Sequence, residues 1–378
     1  MPGKAQSPGG GDPGSAWFLI SHSHFGGAQE LWANLVQGFR DQGWSARLIA
    51  LYPDEEGEQE TPHGIGWSYV LPARPGGALG VWRLIRALVR ELRTHPPDVI
   101  FTALPAANVI VPTAVALARV GTRVVITHHT PAETYNRVLD AADGVTGRVP
   151  AVKSIVCVSD AVAHSLADKP AAYRAKLTTI RNAVPPPVEA ELARLAALHA
   201  PRTMRRRTIV CSGRLAYQKN YPVVVRAMQH LPDVQLEIVG AGPDEAALRV
   251  LADQLGVSPR IRFLGQKSRM EALAIVASAD IFVQMSLFEG NSLSLIEAAK
   301  LGLPLIVSDV PEQREGITDP SGRLCGMTVP TEDHVALADA VRSLLDDASA
   351  YQAQAARSTA LGESIRFEKL IAAYLSLR

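Results

Sequence analysis

The stretch that decides the fold is 280–308, DIFVQMSLFEGNSLSLIEAAKLGLPLIVS. Two short apolar runs in it, 281–283 and 305–307, are rich in β-branched residues and indicate strands. Between them lies a largely apolar helical stretch, which Gly302 and Pro304 bring to an end. A strand, a loop, a helix and a second strand in this order predict part of a parallel α/β sheet.

Two glutamates stand near the start of this predicted helix, Glu289 in the loop and Glu297 eight positions later. Gly290, Asn291 and Ser292 follow Glu289, where the first backbone N–H groups of a helix have no intrahelical acceptor and attract an anion. Two carboxylates beside a helix start predict a site for a sugar that carries phosphates. Many ordinary exposed helices carry glutamates at this spacing, so the other motifs must decide between a binding site and a plain surface helix.

The composition describes an ordinary α/β protein. The 378 residues are enough for two domains, and 47% hydrophobic with 20% charged residues is typical of globular proteins. A net charge of +1 gives no reason to expect nucleic acid as a partner. Cys157 and Cys211 lie in apolar runs, and none of the three cysteines has metal-site spacing, so we expect buried thiols and no metal.

Residues 1–15 are rich in Gly, Pro and Ser and lack an apolar core, so we expect a disordered tail and no signal peptide. No apolar window of about 20 residues predicts a membrane span. We therefore expect a cytoplasmic protein, or one bound peripherally to the inner face of a membrane. A predicted helix at 81–94 carries four arginines mostly on one face. A solvated charged face is the favoured interpretation, and contact with anionic lipid is the alternative.

In the first half, Gly26 and Gly27 lie between a predicted strand at 17–21 and a predicted helix at about 29–41. Such a turn lets the backbone approach a ligand and directs a helix N-terminus at negative charge. His128 and His129 follow a predicted strand at 123–127, and ligands of open α/β sheets gather at the carboxyl ends of strands.

Three consecutive prolines at 185–187 and a change of composition predict a stiff, extended linker over 185–206. A second β-first domain begins near Thr208, and its first strand leads into Gly213-Arg-Leu-Ala-Tyr-Gln-Lys-Asn220. After the next strand, Gly240-Ala-Gly242 lacks the third glycine of a dinucleotide fingerprint. Acidic residues follow it at the helix start, which argues against NAD.

Together these motifs resemble those of the retaining GT-B glycosyltransferases of family 4, over roughly residues 17–377. The matching segments are Glu289-x7-Glu297, the loop from Gly213 to Asn220, Val-Gly-x-Gly242 and Thr127-x-His129-Thr. The resemblance implies the α/β GT-B fold, in which two Rossmann-like domains face an interdomain cleft. The domains would cover 16–184 and 207–362, with a C-terminal helix at 363–378 packing back on the first domain.

The resemblance also implies a role for each matching residue. Glu289 would bond hydroxyls of the donor sugar, and Glu297 would bond the ribose. Arg214 and Lys219 would clamp the diphosphate. His129 would place the sugar near the reacting carbon, with His128 as the fallback. The backbone of the remaining donor-binding residues would contact the diphosphate, the nucleotide or the base: Gly26, Gly27, Gly242, Gln266, Lys267, Gly290, Asn291, Ser292 and Leu293.

The implied reaction transfers a hexose or N-acetylhexosamine from a UDP- or GDP-sugar to the hydroxyl of a sugar, lipid-linked or small-molecule acceptor, with retention. We expect no metal and no cofactor, because two cations can neutralise the leaving diphosphate. Two alternatives stay open. One is a nucleotide-sugar epimerase or hydrolase of the same fold, and the other is a sugar-nucleotide-binding protein without activity.

Overall fold

A computed structural model describes residues 14–24, 26–54, 61–199 and 206–378 of the chain. These residues form two compact units. The first contains the described residues up to Val158, together with 162–180 and 371–378, and the second contains 159–161 and 181–370. The predicted tail, as far as residue 13, lies outside the described residues, and so does 200–205 of the predicted linker.

The first unit is built on a parallel sheet. Its strands are β1 (Ser15–His22), β2 (Ser45–Tyr52), β3 (Ser68–Tyr69), β4 (Val99–Ala103), β5 (Arg123–His128), β6 (Val152–Cys157) and β7 (Leu177–Thr179). The helices along this part of the chain are α1 (Gly27–Asp41), α2 (Gly77–Thr94), α3 (Pro105–Ala118), α4 (Arg137–Thr146), α5 (Asp160–His164) and α6 (Ala171–Arg174). The strand order β3-β2-β1-β4-β5-β6-β7 is that of a doubly wound sheet.

Strand β1 shows why a continuous apolar run forms the centre of this sheet. Residues 16–21 are all buried, because helices cover both faces of a parallel sheet. Phe18 stacks on Phe101 at 4.8 Å and meets the edge of Trp32 from α1 at 5.8 Å. Leu19 packs in the cluster on the opposite face, together with buried residues of α2 and α3. The sheet is therefore sandwiched between two helical layers.

The second unit repeats the same plan. Its strands are β8 (Thr208–Ser212), β9 (Gln235–Val239), β10 (Ile261–Phe263), β11 (Ile281–Gln284), β12 (Leu305–Ser308) and β13 (Met327–Val329). The helices are α7 (Pro186–Leu198), α8 (Tyr221–Ala227), α9 (Glu245–Gln254), α10 (Arg269–Ser278), α11 (Leu293–Lys300), α12 (Pro311–Gly316), α13 (His334–Asp346), α14 (Ala348–Ser364) and α15 (Phe367–Ser376), whose last residues belong to the first unit. The parallel strands run in the order β10-β9-β8-β11-β12-β13.

Helix α7 corrects the expectation of an extended proline spacer at 185–187. Pro185 is the N-cap and the next two prolines lie in the first turn, where a missing N–H costs no hydrogen bond. Val188, Leu192 and Leu195 then follow at helical spacing, and all three are buried in the core of the second unit. The segment 186–198 is thus part of a folded domain, and the prolines begin its helix.

Three findings concern the bulk expectations. No helix in the described ranges has the length and apolar character needed to cross a membrane. Cys157 and Cys211 are free and buried, which confirms the expectation for these two thiols. Within the same ranges no cluster of three or more His, Cys, Asp or Glu side chains has the arrangement of a metal site.

Candidate active site in the second unit

The order of the second sheet reverses between β8 and β11, which are neighbours in the sheet but not in the chain. Strands β9 and β10 lie on one side of β8, and β11 to β13 lie on the other side. At such a switch point the loops after the two strands diverge and leave a crevice in which α/β proteins bind ligands. The two loops here are 213–220 and 285–292, which hold six of the thirteen predicted donor-binding residues.

Three hydrogen bonds join these two loops. The Leu287 backbone N–H donates to the Gln218 carbonyl at 2.8 Å, and Gln218 Nε2 donates to the Phe288 carbonyl at 3.0 Å. Lys219 Nζ then donates to Glu289 Oε1 at 2.7 Å. The structure therefore brings Lys219 and Glu289 into direct contact, although 70 positions separate them in the sequence.

The Lys219–Glu289 ion pair is held in a mostly buried setting. The two side chains are 16% and 10% exposed, and the Ser286 hydroxyl donates to the same Glu289 oxygen at 2.8 Å. Gly213 makes room for the lysine, since its φ is +151° and an added Cβ would lie 3.0 Å from Lys219 Cε. A glycine at this position therefore lets the lysine stem run close against the backbone toward Glu289.

Arg214 and Gly242 have different surroundings from the ion pair. The Arg214 side chain is exposed to solvent. A Cβ on Gly242 would lie 2.3 Å from the Leu215 carbonyl oxygen, so this glycine is required by the packing of its loop against the loop at 213–215. The structure thus explains Gly242 without reference to a donor.

Helix α11 begins beside Glu289 with a polar N-cap. The Ser292 hydroxyl accepts from the Leu295 backbone N–H at 3.4 Å and donates to Gln284 Oε1 at 2.9 Å. Asn291 Oδ1 accepts from the Asn182 backbone N–H at 2.9 Å, and its carbonyl accepts from Asn182 Nδ2 at 2.9 Å. These bonds fix the backbone of the first turn, whose N–H groups have no intrahelical acceptors.

The second glutamate of the motif lies within α11 and is paired with an arginine. Arg269 Nη2 donates to Glu297 Oε1, and the two side chains are 27% and 11% exposed. Gln266 and Lys267 lie exposed in the loop between β10 and α10, shortly before Arg269. The predicted base segment thus lies in the loop that leads into α10, and the predicted ribose ligand lies on α11, the helix in contact with α10.

In the first unit, His129 follows β5 and stands next to an aromatic side chain. Its ring meets the edge of Trp32 at 5.4 Å. Burial, with a smaller contribution from His128, lowers the pKa of His129 to about 3, so the imidazole is neutral at physiological pH. Gly26 is the N-cap of α1, and Gly27 is its first residue, with no atom within 4 Å of an added Cβ. Helix α1 therefore begins two residues before the predicted start.

His128 is the centre of a buried hydrogen-bond network. Its Nε2 lies 2.7 Å from the Tyr173 hydroxyl, which donates to Asp143 Oδ2 at 2.6 Å, and its Nδ1 lies 3.1 Å from the Tyr135 hydroxyl. Because a carboxylate only accepts, the Tyr173 oxygen is left to accept from His128 Nε2–H. Burial lowers the pKa of His128 and raises those of Tyr173 and Tyr135. The two adjacent histidines thus differ in their surroundings, since both ring nitrogens of His128 have hydrogen-bond partners inside the protein.

Sequence reasoning gave no role to three residues that contact the predicted site residues. Ser286 bonds Glu289, Arg269 bonds Glu297, and Asn182 bonds Asn291. Ser286 lies three residues before Glu289, so its spacing carried a weak signal. Arg269 and Asn182 act over 28 and 109 positions, and nothing local in the sequence indicates such contacts.

Two family models match the chain, one for each half. The model described as "Glycosyltransferase Family 4" matches residues 25–186, and the one described as "Glycosyl transferases group 1" matches residues 200–360. The chain is 26% identical over 337 residues to the lipopolysaccharide core biosynthesis glycosyltransferase LpsD of Rhizobium meliloti, covering 87% of this chain and 88% of that protein. It is 33% identical over 186 residues to the glycogen synthase of Mycobacterium tuberculosis, covering 48% and 42%.

Solved structures share the fold. Anabaena Alr3699/HepE in complex with UDP superposes with a TM-score of 0.77 at 17% identity, covering 96% of this chain and 99% of that one. Sucrose-phosphate synthase (tll1590) from Thermosynechococcus elongatus gives 0.76 at 19% identity, covering 96% and 98%. These neighbours confirm the predicted fold class, two α/β domains with parallel sheets in a GT-B protein. With both halves matched by the family models, the chain belongs to the GT-B glycosyltransferases of the family 4 type.

Proposed function

We propose that this glycosyltransferase moves a hexose or N-acetylhexosamine from a nucleotide diphosphate donor to an acceptor hydroxyl, with retention and without a metal ion. The observation that carries the proposal is the contact between Lys219 and Glu289 at the switch point of the second sheet. A cation for a phosphate and a carboxylate for a sugar hydroxyl stand side by side there. A nucleotide-sugar presents those two groups next to each other across its glycosidic bond.

The cationic residues would act on the leaving group. As the glycosidic bond breaks, the nucleoside diphosphate gathers negative charge, and fixed cations lower the energy of that transition state. Lys219 supplies a compact charge that its neighbours hold in place, and the exposed Arg214 supplies a planar fork that suits a phosphate. The N-terminus of α11, with its backbone fixed through Asn291 and Ser292, would add N–H donors for the second phosphate.

The carboxylates and His129 would orient the sugar and the ribose. Glu289 would accept hydrogen bonds from donor-sugar hydroxyls, and Glu297 from the ribose. Because His129 is neutral, it can bond a hydroxyl without adding charge near the reacting carbon. The acceptor hydroxyl would attack the anomeric carbon as the bond to the diphosphate breaks, and a phosphate oxygen of the departing diphosphate would take its proton, so no separate general base is needed. For Gly26, Gly27, Gln266 and Lys267 a donor-binding role remains a prediction.

The acceptor is proposed to be a growing surface glycan or a glycolipid. The relative from Rhizobium meliloti is named for lipopolysaccharide core biosynthesis, which supports an acceptor of this class. The exposed side of α2 supports a peripheral membrane contact, because it carries Leu79 and Trp82, which are 61% and 54% exposed, next to the exposed Arg83, Arg86 and Arg90. Arginines with exposed aromatic and aliphatic side chains are typical of helices that rest on anionic lipid.

The experiment that tests the proposal is a binding and activity screen with UDP- and GDP-sugars. UDP-glucose comes first, because the Anabaena neighbour was also crystallised with it. Glu289→Gln and Lys219→Gln keep the size of each side chain while they remove its charge. We expect each variant to lower kcat/KM by about 100-fold or more, since preorganised charges of this kind contribute that much to rate. Activity should be unchanged when EDTA is added.

The matched control is Lys300→Gln. Lys300 lies at the opposite end of α11 and forms a buried pair with Glu189 at 2.6 Å, with exposures of 10% and 17%. This variant should lower thermal stability but leave the donor KM unchanged. If it impairs transfer as much as Lys219→Gln, the charge at 219 has no special role. Rapid turnover of donor with no acceptor present would instead favour an epimerase or hydrolase.

A further inference from the structure

Arg269 occupies a position that local helix preferences do not favour. It is the first residue of α10, directly after the N-cap Ser268, which forms a capping box with Glu271. A positive charge in the first turn opposes the helix dipole, whereas the capping glutamate two residues later suits it. The reason for an arginine here must therefore lie outside its own helix.

The partner of Arg269 is the second glutamate of the site. Glu297 lies in α11, and its side chain is largely buried, at only 11% exposed. A carboxylate in such surroundings needs a hydrogen-bonded cation to remain ionised at low cost. Arg269 supplies it through Nη2, and its side chain is 27% exposed, so the pair stands at the edge of the core.

We infer that Arg269 is a positioning residue that holds the Glu297 carboxylate in the orientation that binds the ribose of the donor. The inference rests on the proposed function. An ionised carboxylate offers about four acceptor sites, so Glu297 can accept from Arg269 and from ribose hydroxyls together. A guanidinium also fixes the plane of a carboxylate, which a lysine cannot do. Arg269 thereby makes the site selective for nucleotides that carry ribose hydroxyls.

The chain positions of the neighbouring residues agree with this role. Gln266 and Lys267, predicted to contact the base, precede Arg269 in the loop that begins at the end of β10. A nucleoside whose base lies against that loop would present its ribose toward the start of α10. One short segment, 266–269, would then recognise the base through its main chain and the ribose through the glutamate that Arg269 holds.

The test measures how strongly the site prefers ribose over a sugar without hydroxyls. Dissociation constants of the full chain are measured by calorimetry for UDP and GDP and for their 2′,3′-dideoxy counterparts. We expect the dissociation constant of wild type for the ribonucleotide to be at least about 10-fold lower than that for its dideoxy counterpart, because hydrogen bonds to a charged group contribute this much to affinity. Arg269→Gln should reduce this ratio to near one, and Arg269→Lys should give an intermediate ratio. Because the ratio is taken within each variant, a general loss of stability does not affect it.

Two controls separate positioning from a structural role. Arg262→Gln removes an arginine of the same unit that pairs with Glu237 at 2.6 Å, and it should leave the ratio at the wild-type value. In a Glu297→Gln background, Arg269→Gln should have no further effect on the ratio, because the arginine acts through that carboxylate. A lower melting temperature with an unchanged ratio in Arg269→Gln would overturn the inference.

The remaining outcomes are also distinct. If wild type binds both kinds of nucleotide equally well, then Glu297 does not read the ribose, and the inference falls while donor binding stands. If wild type binds neither UDP nor GDP, the proposed function itself is wrong, and the role of Arg269 falls with it.

Discussion

At the scale of single residues, the buried charges of Lys219 and Glu289 stabilise each other. Each is mostly buried, and removing one partner of a buried pair leaves an unpaired charge that costs about 3–5 kcal/mol. Truncation to alanine would therefore mix loss of stability with loss of function. Glutamine substitutions at 219 and 289 preserve hydrogen-bonding groups, and the Ser286 hydroxyl remains beside position 289. Each glutamine still leaves the partner charge unpaired, so the kinetic effect is compared with that of Lys300→Gln, which leaves Glu189 unpaired in the same way.

The two adjacent histidines predict a pH dependence of stability. Burial lowers the pKa of His128 and lowers that of His129 to about 3, against an ordinary value of 6.5. Above pH 6.5 both the folded and the unfolded chain hold these rings neutral. As the pH falls below 6.5, the unfolded chain takes up a proton at His129 that the folded chain does not, so the folded state loses stability progressively toward pH 3. His129 contributes a slope that approaches about 1.4 kcal/mol per pH unit, and His128 acts in the same direction.

We expect His129→Asn to reduce this slope between pH 6.5 and 5 by as much as about 1.4 kcal/mol per pH unit, which corresponds to the uptake of one proton. The measurement is the free energy of unfolding from urea titrations at several pH values. Leu166→Ala is a suitable control, since Leu166 is 1% exposed and its truncation destabilises the core without removing a titrating group. An equal slope in wild type and His129→Asn would show that His129 is not held neutral in the folded protein.

Single residues could be predicted where the motif itself carried the chemistry. Glu289 and Lys219 were identified from separate motifs, and the structure shows that they touch. The arginine partner of Glu297 and the asparagine partner of Asn291 were missed. Those contacts join distant elements, and their residues have no special spacing or composition. The close approach of Gly242 to Leu215 requires a glycine by itself, and its predicted role at the nucleotide stays a prediction.

At the scale of elements, the strands predicted at 17–21, 123–127, 281–283 and 305–307 are confirmed, whereas the starts of α2 and α7 were not predicted. Helix α2 begins at Gly77, four residues before the predicted start, and α7 occupies a segment that was expected to be extended. In both cases a Gly- or Pro-rich stretch was interpreted as a loop. Proline is favoured in a first helical turn. Burial of the apolar face of α7 compensates for the conformational entropy that the segment loses when it becomes helical. Tertiary packing decided what local sequence left open.

Helix α2 carries a prediction about membranes. Leu84, Leu88 and Leu92 are buried, and the opposite side exposes arginines and Trp82, with the Arg86 guanidinium 5.3 Å from the Trp82 ring centre. We expect the protein to sediment with vesicles that contain anionic phosphatidylglycerol and to remain in solution with pure phosphatidylcholine. The double variant Arg86→Ser/Arg90→Ser should bind about 10-fold or more weakly, at roughly 1 kcal/mol per arginine near the surface.

The charge-matched control removes two exposed arginines of the second unit, in Arg226→Ser/Arg357→Ser. It should bind vesicles like wild type and show the same sensitivity to salt. Equal loss of binding in the two double variants would mean that net charge alone, and not α2, causes the attraction. Binding to neutral and anionic vesicles alike would also count against an electrostatic contact.

At the scale of the whole molecule, both units carry the same doubly wound strand order around a central first strand. The apolar runs, their glycine-rich turns and the helices between them were sufficient to predict two such domains, because this alternation has few other solutions. The first domain was predicted to end at residue 184, and the first unit ends at Ile180 before its C-terminal return. Residues 181–199 are part of the second unit, and only the last eight residues of the chain return to the first.

The most direct test of the candidate site is a crystal structure of the full chain with a bound nucleoside diphosphate, with UDP tried first. We expect diphosphate oxygens within hydrogen-bond distance of Lys219 Nζ and of the Arg214 guanidinium, and the ribose against the Glu297 carboxylate. A nucleotide bound at another place, with Lys219, Glu289 and Glu297 all out of its reach, would contradict the proposal that these residues hold the donor.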